Sequence, residues 1–161
     1  THSKWVHMRG GTVVDFASFM TGEAFGILSR NSVLRHMLSQ EPVELNKATF
    51  REAVRTSLDS PEDILARLFS IRPAGLLFDL PPGDARSRLS GFLVGQEIAG
   101  ARARLEMAGT IDLVGAGELG ALYEEALGVA GFSCRTHDGD ALAIAGLSGA
   151  GAARPRTGTH G

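Results

Sequence analysis

The pattern with the clearest chemical meaning in this 161-residue chain is Gly115-Ala116-Gly117-Glu118-Leu119-Gly120. It follows a short predicted strand at 110–114, precedes a helical pattern, and fits the G-x-G-x-x-G spacing of dinucleotide-binding turns. Glycines let a backbone approach a phosphate closely, and the N-terminus of the following helix carries partial positive charge. The pattern therefore indicates a nucleotide contact, although Glu118 would repel a pyrophosphate. A glycine-rich turn with no ligand is the alternative.

Two further segments combine hydroxyl, basic and acidic groups. Thr1-His2-Ser3-Lys4 offers hydroxyls and positive charge, which suit phosphate oxygens but also occur in ordinary solvated turns. Thr21-Gly22-Glu23 lies where a predicted strand gives way to a predicted helix. One interpretation is a helix N-cap at Thr21 followed by an acid that matches the helix dipole. The other is a helix N-terminus that faces a ligand cleft.

The spacing of the histidine, cysteine and serine residues does not indicate a metal site or a hydrolase site. The five histidines form no H-x-x-x-H pair, and the single Cys134 excludes a multi-cysteine zinc site. No G-x-S-x-G motif marks a nucleophilic serine. We therefore predict no metal site within this chain.

The overall composition narrows the class of protein. With 16 Lys and Arg against 18 Asp and Glu, the formal charge of −2 lacks the basic footprint of a nucleic-acid binder. No apolar run approaches the roughly 18 residues of a membrane span. A single cysteine fits a reducing compartment, so we expect a cytoplasmic protein with neither nucleic acid nor membrane as a partner. Because the chain opens at Thr1 rather than at methionine, we also expect it to be part of a longer protein.

Hydrophobic periodicity predicts an α/β domain. A strand at 4–8, a glycine turn and a second strand at 12–20 precede a helix from Thr21, and helices follow from Asn46 to Leu105. Within that block, Asn46 and Ser60 are predicted N-caps, and Pro81-Pro82-Gly83 is predicted to end a segment. The last third reads as a strand at 110–114, a helix to Val129, a strand at 132–136 and a helix from Asp140. After Gly149 there is too little apolar surface for packing, so we expect a flexible tail over 149–161.

Several of these strings together resemble one family. THSKWV, FASFMTGEAFGIL, SIRPAGLLFD, LSGFLVGQEI and LVGAGELGALYEEAL resemble the C-terminal half of 2-dehydro-3-deoxygalactonokinases. These are ATP-dependent sugar kinases of the hexokinase/actin-like superfamily, and the resemblance covers nearly all of residues 1–148. It implies an α/β domain of the ribonuclease-H-like (actin-like ATPase) type with an inserted helical block at about 46–105.

The resemblance also implies roles for particular residues. Thr1, His2, Ser3 and Lys4 would hold the β- and γ-phosphates, and Thr21, Gly22 and Glu23 would lie near the floor of the cleft. The adenosine would contact Gly115, Ala116, Gly117, Glu118 and Tyr123. The full enzyme would transfer the γ-phosphate of ATP, with Mg²⁺, to the 6-hydroxyl of 2-dehydro-3-deoxy-D-galactonate in galactonate catabolism.

Half of such a site would lie outside this chain. The resemblance places the magnesium-linked loop and most sugar contacts in an N-terminal half, and the catalytic base upstream of Thr1. The catalytic residue is therefore unknown. Asp15 and Glu23 are the carboxylates nearest to the predicted cleft, but neither matches the base motif. Alone, the chain is expected to bind nucleotide weakly at best and to show no turnover.

Two other functions and a possible homodimer stay open. The Gly115–Gly120 turn is compatible with a fragment of an NAD-dependent oxidoreductase, and all the motifs are compatible with a non-catalytic actin-like module. The small residues Gly91 and Gly95 could let their helix pair with a second copy or pack inside the domain.

Overall fold

The computed structural model describes residues 2–39, 41, 43–115 and 117–152, and its elements are mixed α and β. The strands are β1 (Ser3–Arg9), β2 (Thr12–Phe19), β3 (Thr110–Val114) and β4 (Ser133–His137). The helices are α1 (Thr21–Asn31), α2 (Lys47–Asp59), α3 (Ile64–Leu77), α4 (Pro82–Arg104), α5 (Gly117–Val129) and α6 (Gly139–Ala152). Short 3-10 turns occupy Val33–His36 and Pro61–Asp63.

The predicted hairpin is confirmed. β1 and β2 pair antiparallel around a turn in which Gly10 and Gly11 have φ values of 57° and 78°. These left-handed values favour glycine because it has no Cβ. The register pairs Ser3 with Phe19 and Trp5 with Ala17, so the start of β1 lies beside the end of β2, next to the start of α1.

The second pair of strands forms a parallel unit with α5 as its crossover. β3 and β4 pair from Thr110 opposite Ser133 to Val114 opposite His137. In the described part of the chain the two pairs form separate two-stranded sheets. The predicted strand–helix–strand–helix order of the last third is thereby confirmed, and so is the mixed α/β class.

Helix boundaries differ from the predictions at three places. Met20, not Thr21, occupies the N-cap of α1, and no side chain caps this end. The Ser60 side chain makes no cap hydrogen bond either, because a 3-10 turn at Pro61–Asp63 precedes α3. Pro82 begins α4 instead of ending the segment before it, since a proline at the first helical position loses no hydrogen bond.

The start of α2 follows the prediction. The Asn46 side-chain oxygen accepts hydrogen bonds from the backbone nitrogens of Ala48 and Thr49, at 3.1 and 3.2 Å. Two of the unpaired amides at the helix start are thereby satisfied.

Helices α2 and α4 pack with unusually close backbones. A Cβ on Gly91 would lie 2.5 Å from the Phe50 carbonyl oxygen, and one on Gly95 would lie 2.7 Å from that of Val54. Both glycines are buried. They therefore serve internal packing, the second of the two roles considered for them.

Helix α4 is shared by two apolar clusters. The first contains Leu34, Leu38, Ala53, Leu68, Ile71, Ala85, Leu89 and Phe92. The second contains Phe50, Val54, Val94, Ile98, Ala126, Leu127 and Ala130, with Trp5, Ile111, Tyr123 and Cys134 packed against it. Both sheets thus contact the helices through the second cluster.

The end of the described chain is helical. Helix α6 continues to Ala152, so residues 149–152 of the expected tail belong to a helix, and 153–161 lie outside the described residues. Within the described ranges, no helix is both long and apolar enough to cross a membrane.

Candidate functional site

A buried carboxylate lies at the centre of the candidate site. Glu97, near the middle of α4, is only 2% exposed. The Trp5 indole donates to its Oε1 at 2.7 Å, and the Tyr123 hydroxyl donates to its Oε2 at 2.8 Å. One side chain therefore ties β1, α4 and α5 together.

Sequence reasoning missed Glu97, although a signal was present. It is the only charged residue between Leu89 and Ala101, in a segment otherwise rich in apolar and small residues. A charge in such a helix is either exposed or held by hydrogen bonds or an opposite charge, because a buried charge without partners is very costly. The pairing partner Trp5 is 92 residues away, which no local pattern predicts.

Tyr123 brings three of the predicted segments together. Burial and the neighbouring charge and hydrogen bond of Glu97 raise the pKa of its phenol well above the usual value. Hydrogen bonds from the hydroxyls of Ser3 and Thr21 act in the opposite direction on that pKa. The predicted phosphate segment, cleft floor and nucleotide helix therefore meet at one phenol.

An exposed pair extends this cluster toward solvent. His2 Nε2 lies 2.7 Å from Glu23 Oε2, and both side chains are about half exposed. This contact joins the predicted phosphate segment to the first turn of α1. Gly22, the residue before Glu23, is exposed there.

Not every predicted residue reaches the cluster. Lys4 is exposed and lies on the face of β1 opposite to Ser3 and Trp5, because side chains alternate along a strand. Asp15 pairs with His7, four residues along β1 from Ser3, which is roughly 13 Å at the usual rise of a strand. Of the two carboxylates predicted near the cleft, Glu23 thus reaches the cluster through His2, whereas Asp15 is remote from it. Thr1 lies outside the described residues.

The backbone conformation of the glycine turn favours glycine at one position. Gly117 opens α5 with a φ of 66°, a value that favours glycine, and Gly115 donates its backbone N–H to His137 O at 3.2 Å. Ala116 is outside the described residues. The turn leads directly into α5, as predicted, with Glu118 in its first turn.

Glu118 and Tyr123 face different surroundings. Glu118 lines an open groove of about 1280 Å³ between α2 and α5, whereas Tyr123 faces Glu97. Five residues along a helix correspond to about 140° of rotation, which explains the separation. The structure does not bring these two predicted nucleotide residues into one site.

The groove itself has no excess of positive charge. Four basic side chains line it, Lys47, Arg51, Arg55 and Arg86, together with four acidic ones, Glu44, Glu118, Glu124 and Glu125. Arg51 is ion-paired with Glu125, whose hydrogen bond and charge raise the pKa of the guanidinium. The lining of the groove is therefore balanced in charge rather than basic.

Among the described residues, no three His, Cys, Asp or Glu side chains are grouped so that they could hold a metal ion.

Comparison with known proteins decides the family. The model of the 2-keto-3-deoxy-galactonokinase family matches residues 1–150. This chain belongs to that family. The resemblance seen in its sequence strings is thereby confirmed.

This chain is also similar in sequence to proteins that are named as kinases. A probable 2-dehydro-3-deoxygalactonokinase of Rhizobium meliloti is 40% identical over 151 residues, and the 2-dehydro-3-deoxygalactonokinase of Escherichia coli is 32% identical over 147 residues. The alignments cover 93% and 91% of this chain but 49% of each relative. The chain thus spans about half the length of the curated relatives it matches.

A solved structure agrees with the fold. The crystal structure of a protein from Sinorhizobium meliloti, assigned as a 2-dehydro-3-deoxygalactonokinase, matches with a TM-score of 0.90 and 40% identity. The match covers 94% of this chain and 51% of that one.

Proposed function

We propose that this chain is the nucleotide-side half of a kinase that transfers the γ-phosphate of ATP to the 6-hydroxyl of 2-dehydro-3-deoxy-D-galactonate. The observation that carries the proposal is the family match over residues 1–150, together with relatives that are named for this activity. The alternative function, an NAD-dependent oxidoreductase, has no counterpart among these named relatives. In this proposal the chain acts in galactonate catabolism in the cytoplasm.

The proposed architecture is a ribonuclease-H-like, actin-like domain over residues 1–148, with the helices at 46–105 as an insertion. The TM-score of 0.90 supports a shared fold with a protein of the same family name. The other half of the protein would supply the catalytic base, most sugar contacts and any Mg²⁺ ligands. A homodimer remains a further proposal.

The described residues support a role in binding phosphate groups. Phosphoryl transfer needs mainly positioning and electrostatic stabilisation, because the charge is spread over the phosphate oxygens. His2, Ser3 and Thr21 present hydrogen-bonding groups at the start of α1, where the helix dipole favours negative charge. We assign the β- and γ-phosphates to this edge, and the adenosine to the turn at Gly115 and Gly117.

The test is a kinase assay on the full-length protein. Release of ADP that depends on 2-dehydro-3-deoxy-D-galactonate, with a product phosphorylated at O6, would support the proposal. The C4 epimer of the sugar acid serves as the matched control for specificity. ATP hydrolysis that ignores the sugar acid, or no reaction at all, would overturn it.

Nucleotide preference separates the alternatives. ADP should raise the melting temperature of the full-length protein, and NADH should not. A shift with NADH alone would favour the oxidoreductase, and no shift with either would favour a non-catalytic module.

A further inference from the structure

Glu97 is the only charged side chain among the buried residues that the structure describes. Its carboxylate receives one hydrogen bond on each oxygen, from the indole of Trp5 and the phenol of Tyr123. Both donors are neutral, so no cation within the described contacts offsets the charge. The proposed kinase function gives this side chain no role.

Stability alone does not explain a carboxylate at this position. Well-packed apolar residues often stabilise a core better than a buried charge does. Ile98 is fully buried next to Glu97, and Val94, less than one turn before it, is also buried, so the surrounding helix is ordinary apolar core. What a carboxylate adds is two directed hydrogen bonds that fix neighbouring side chains in orientation.

Those two hydrogen bonds reach the elements that carry the candidate site. Trp5 is two residues after Ser3 on the same face of β1, and Tyr123 is on α5. The phenol donates its one proton to Glu97, and the side chains of Ser3 and Thr21 lie near enough to the phenol to lower its pKa. Glu97 therefore fixes the side chain beside which Ser3 and Thr21 lie, while the Ser3 hydroxyl itself donates to the Phe19 carbonyl oxygen at 3.5 Å.

We propose that Glu97 is a positioning residue, whose buried carboxylate holds Tyr123 and Trp5 so that the hydroxyls of Ser3 and Thr21 stand at the phosphate edge. This inference rests on the proposed function, since the phosphate groups are those of the bound ATP. Glu97 touches no substrate in this arrangement.

The hold of Glu97 on its partners can be tested without any catalysis. Trp5 and Tyr123 are the only tryptophan and tyrosine of the chain. The tryptophan fluorescence and the phenol absorbance of the chain therefore each come from one known residue. In an alkaline absorbance titration, the phenol of the unmodified chain should ionise above its ordinary pKa of about 10. Glu97→Gln should move that ionisation down toward the ordinary value and change the emission of Trp5.

Ser57→Ala is the matched control. Ser57 is also buried, and its hydroxyl donates to the Phe92 carbonyl oxygen of α4 at 3.1 Å, but it does not contact Trp5 or Tyr123. It should leave both optical signals unchanged. An unshifted phenol titration in folded Glu97→Gln would overturn the proposal. Should that variant not fold, Trp5→Phe keeps the carboxylate and should still leave the phenol ionisation raised; an ordinary pKa there would overturn it.

The consequence for function is tested in the full-length protein. Glu97→Gln and Tyr123→Phe should each lower kcat by about tenfold to a hundredfold, as small misplacements of reacting groups do, while the KM for the sugar acid stays the same. The double variant should be no slower than the slower single one, because the two residues act as a unit. Ser57→Ala should keep the unmodified kcat.

Different results would overturn the positioning role of Glu97 and the proposed kinase function. Unchanged kcat in folded Glu97→Gln, or additive losses in the double variant, would overturn the positioning role while leaving the kinase intact. An unmodified protein that phosphorylates no sugar acid would overturn the proposed function and with it the role of Glu97 in catalysis. The phenol titration would still decide whether Glu97 holds Tyr123.

Discussion

At the scale of single residues, the candidate site depends on the hydrogen bond that the Tyr123 phenol donates to the Glu97 carboxylate. The Tyr123 proton lies on a hydrogen bond to Glu97, and burial together with that charge disfavours the phenolate. Losing the proton would place two negative charges side by side in a poorly hydrated position. The pH dependence of stability should reveal this penalty.

We expect the chain to lose stability through Tyr123 as the pH rises above about 10. The pKa of Tyr123 is raised in the folded state, so its contribution is fully present below the unfolded value. Above that value the unfolded chain releases the proton while the folded chain keeps it, and unfolding becomes more favourable. Urea unfolding between pH 8 and 11 should show a steeper decline for the unmodified chain than for Tyr123→Phe. Parallel curves would contradict the assignment.

At the scale of elements, helix ends and helix contacts determine where the site residues lie. The Asn46 cap was predictable because the signal is local: an asparagine followed by a helical pattern. Thr21 and Ser60 have the same residue preference, yet neither caps its helix, because Thr21 is the first helical residue after Met20 and Asp63 stands at the N-cap of α3. Glu97 could not be assigned to a site, since that requires knowing which face of α4 is covered. The hairpin and the β3–α5–β4 unit were predictable from glycine turns and apolar runs.

The Asn46 and Ser60 positions give a matched test of capping. Asn46→Ala should lower the free energy of unfolding by about 1 kcal/mol, because two backbone amides of α2 lose their acceptor. Ser60→Ala should change it by less than about 0.5 kcal/mol, since its hydroxyl makes no cap hydrogen bond. Urea unfolding of the two variants measures both. Equal losses would contradict the cap assignment.

The contact between α2 and α4 should tolerate no side chain at Gly91. Alanine there would place its Cβ 2.5 Å from the Phe50 carbonyl oxygen and force the helices apart, at a cost of about 1–3 kcal/mol. Gly128→Ala in α5, where a Cβ meets nothing within 4 Å, is the control. Its better helix propensity should stabilise the chain by up to about 1 kcal/mol. Thermal unfolding of both variants tests the contrast, and a stabilised Gly91→Ala would refute the contact.

At the scale of the whole molecule, α4 contributes residues to both apolar clusters and so connects them. Leu89 belongs to the first cluster and Ile98 to the second, both fully buried on the same helix. Trp5 packs only against the second. The long helix should therefore couple distant parts of the described chain during unfolding.

Leu89→Ala should test this coupling. The loss of a fully buried leucine should cost about 2–5 kcal/mol. If α4 transmits it, the unfolding midpoints from Trp5 fluorescence and from helical circular dichroism should fall together. A Trp5 transition that stays at its original midpoint would show that the two clusters unfold separately.

The close contact of α2 and α4 also has a consequence for the order in which the chain opens. At Gly91 and Gly95 backbone meets backbone, so no side chain can rotate to admit water between the helices. The amide hydrogens in the middle of α4 should accordingly be among the last to exchange with deuterium, through global opening alone. The candidate site should then lie on the slowest-exchanging part of the described chain, because Glu97 is only two residues from Gly95.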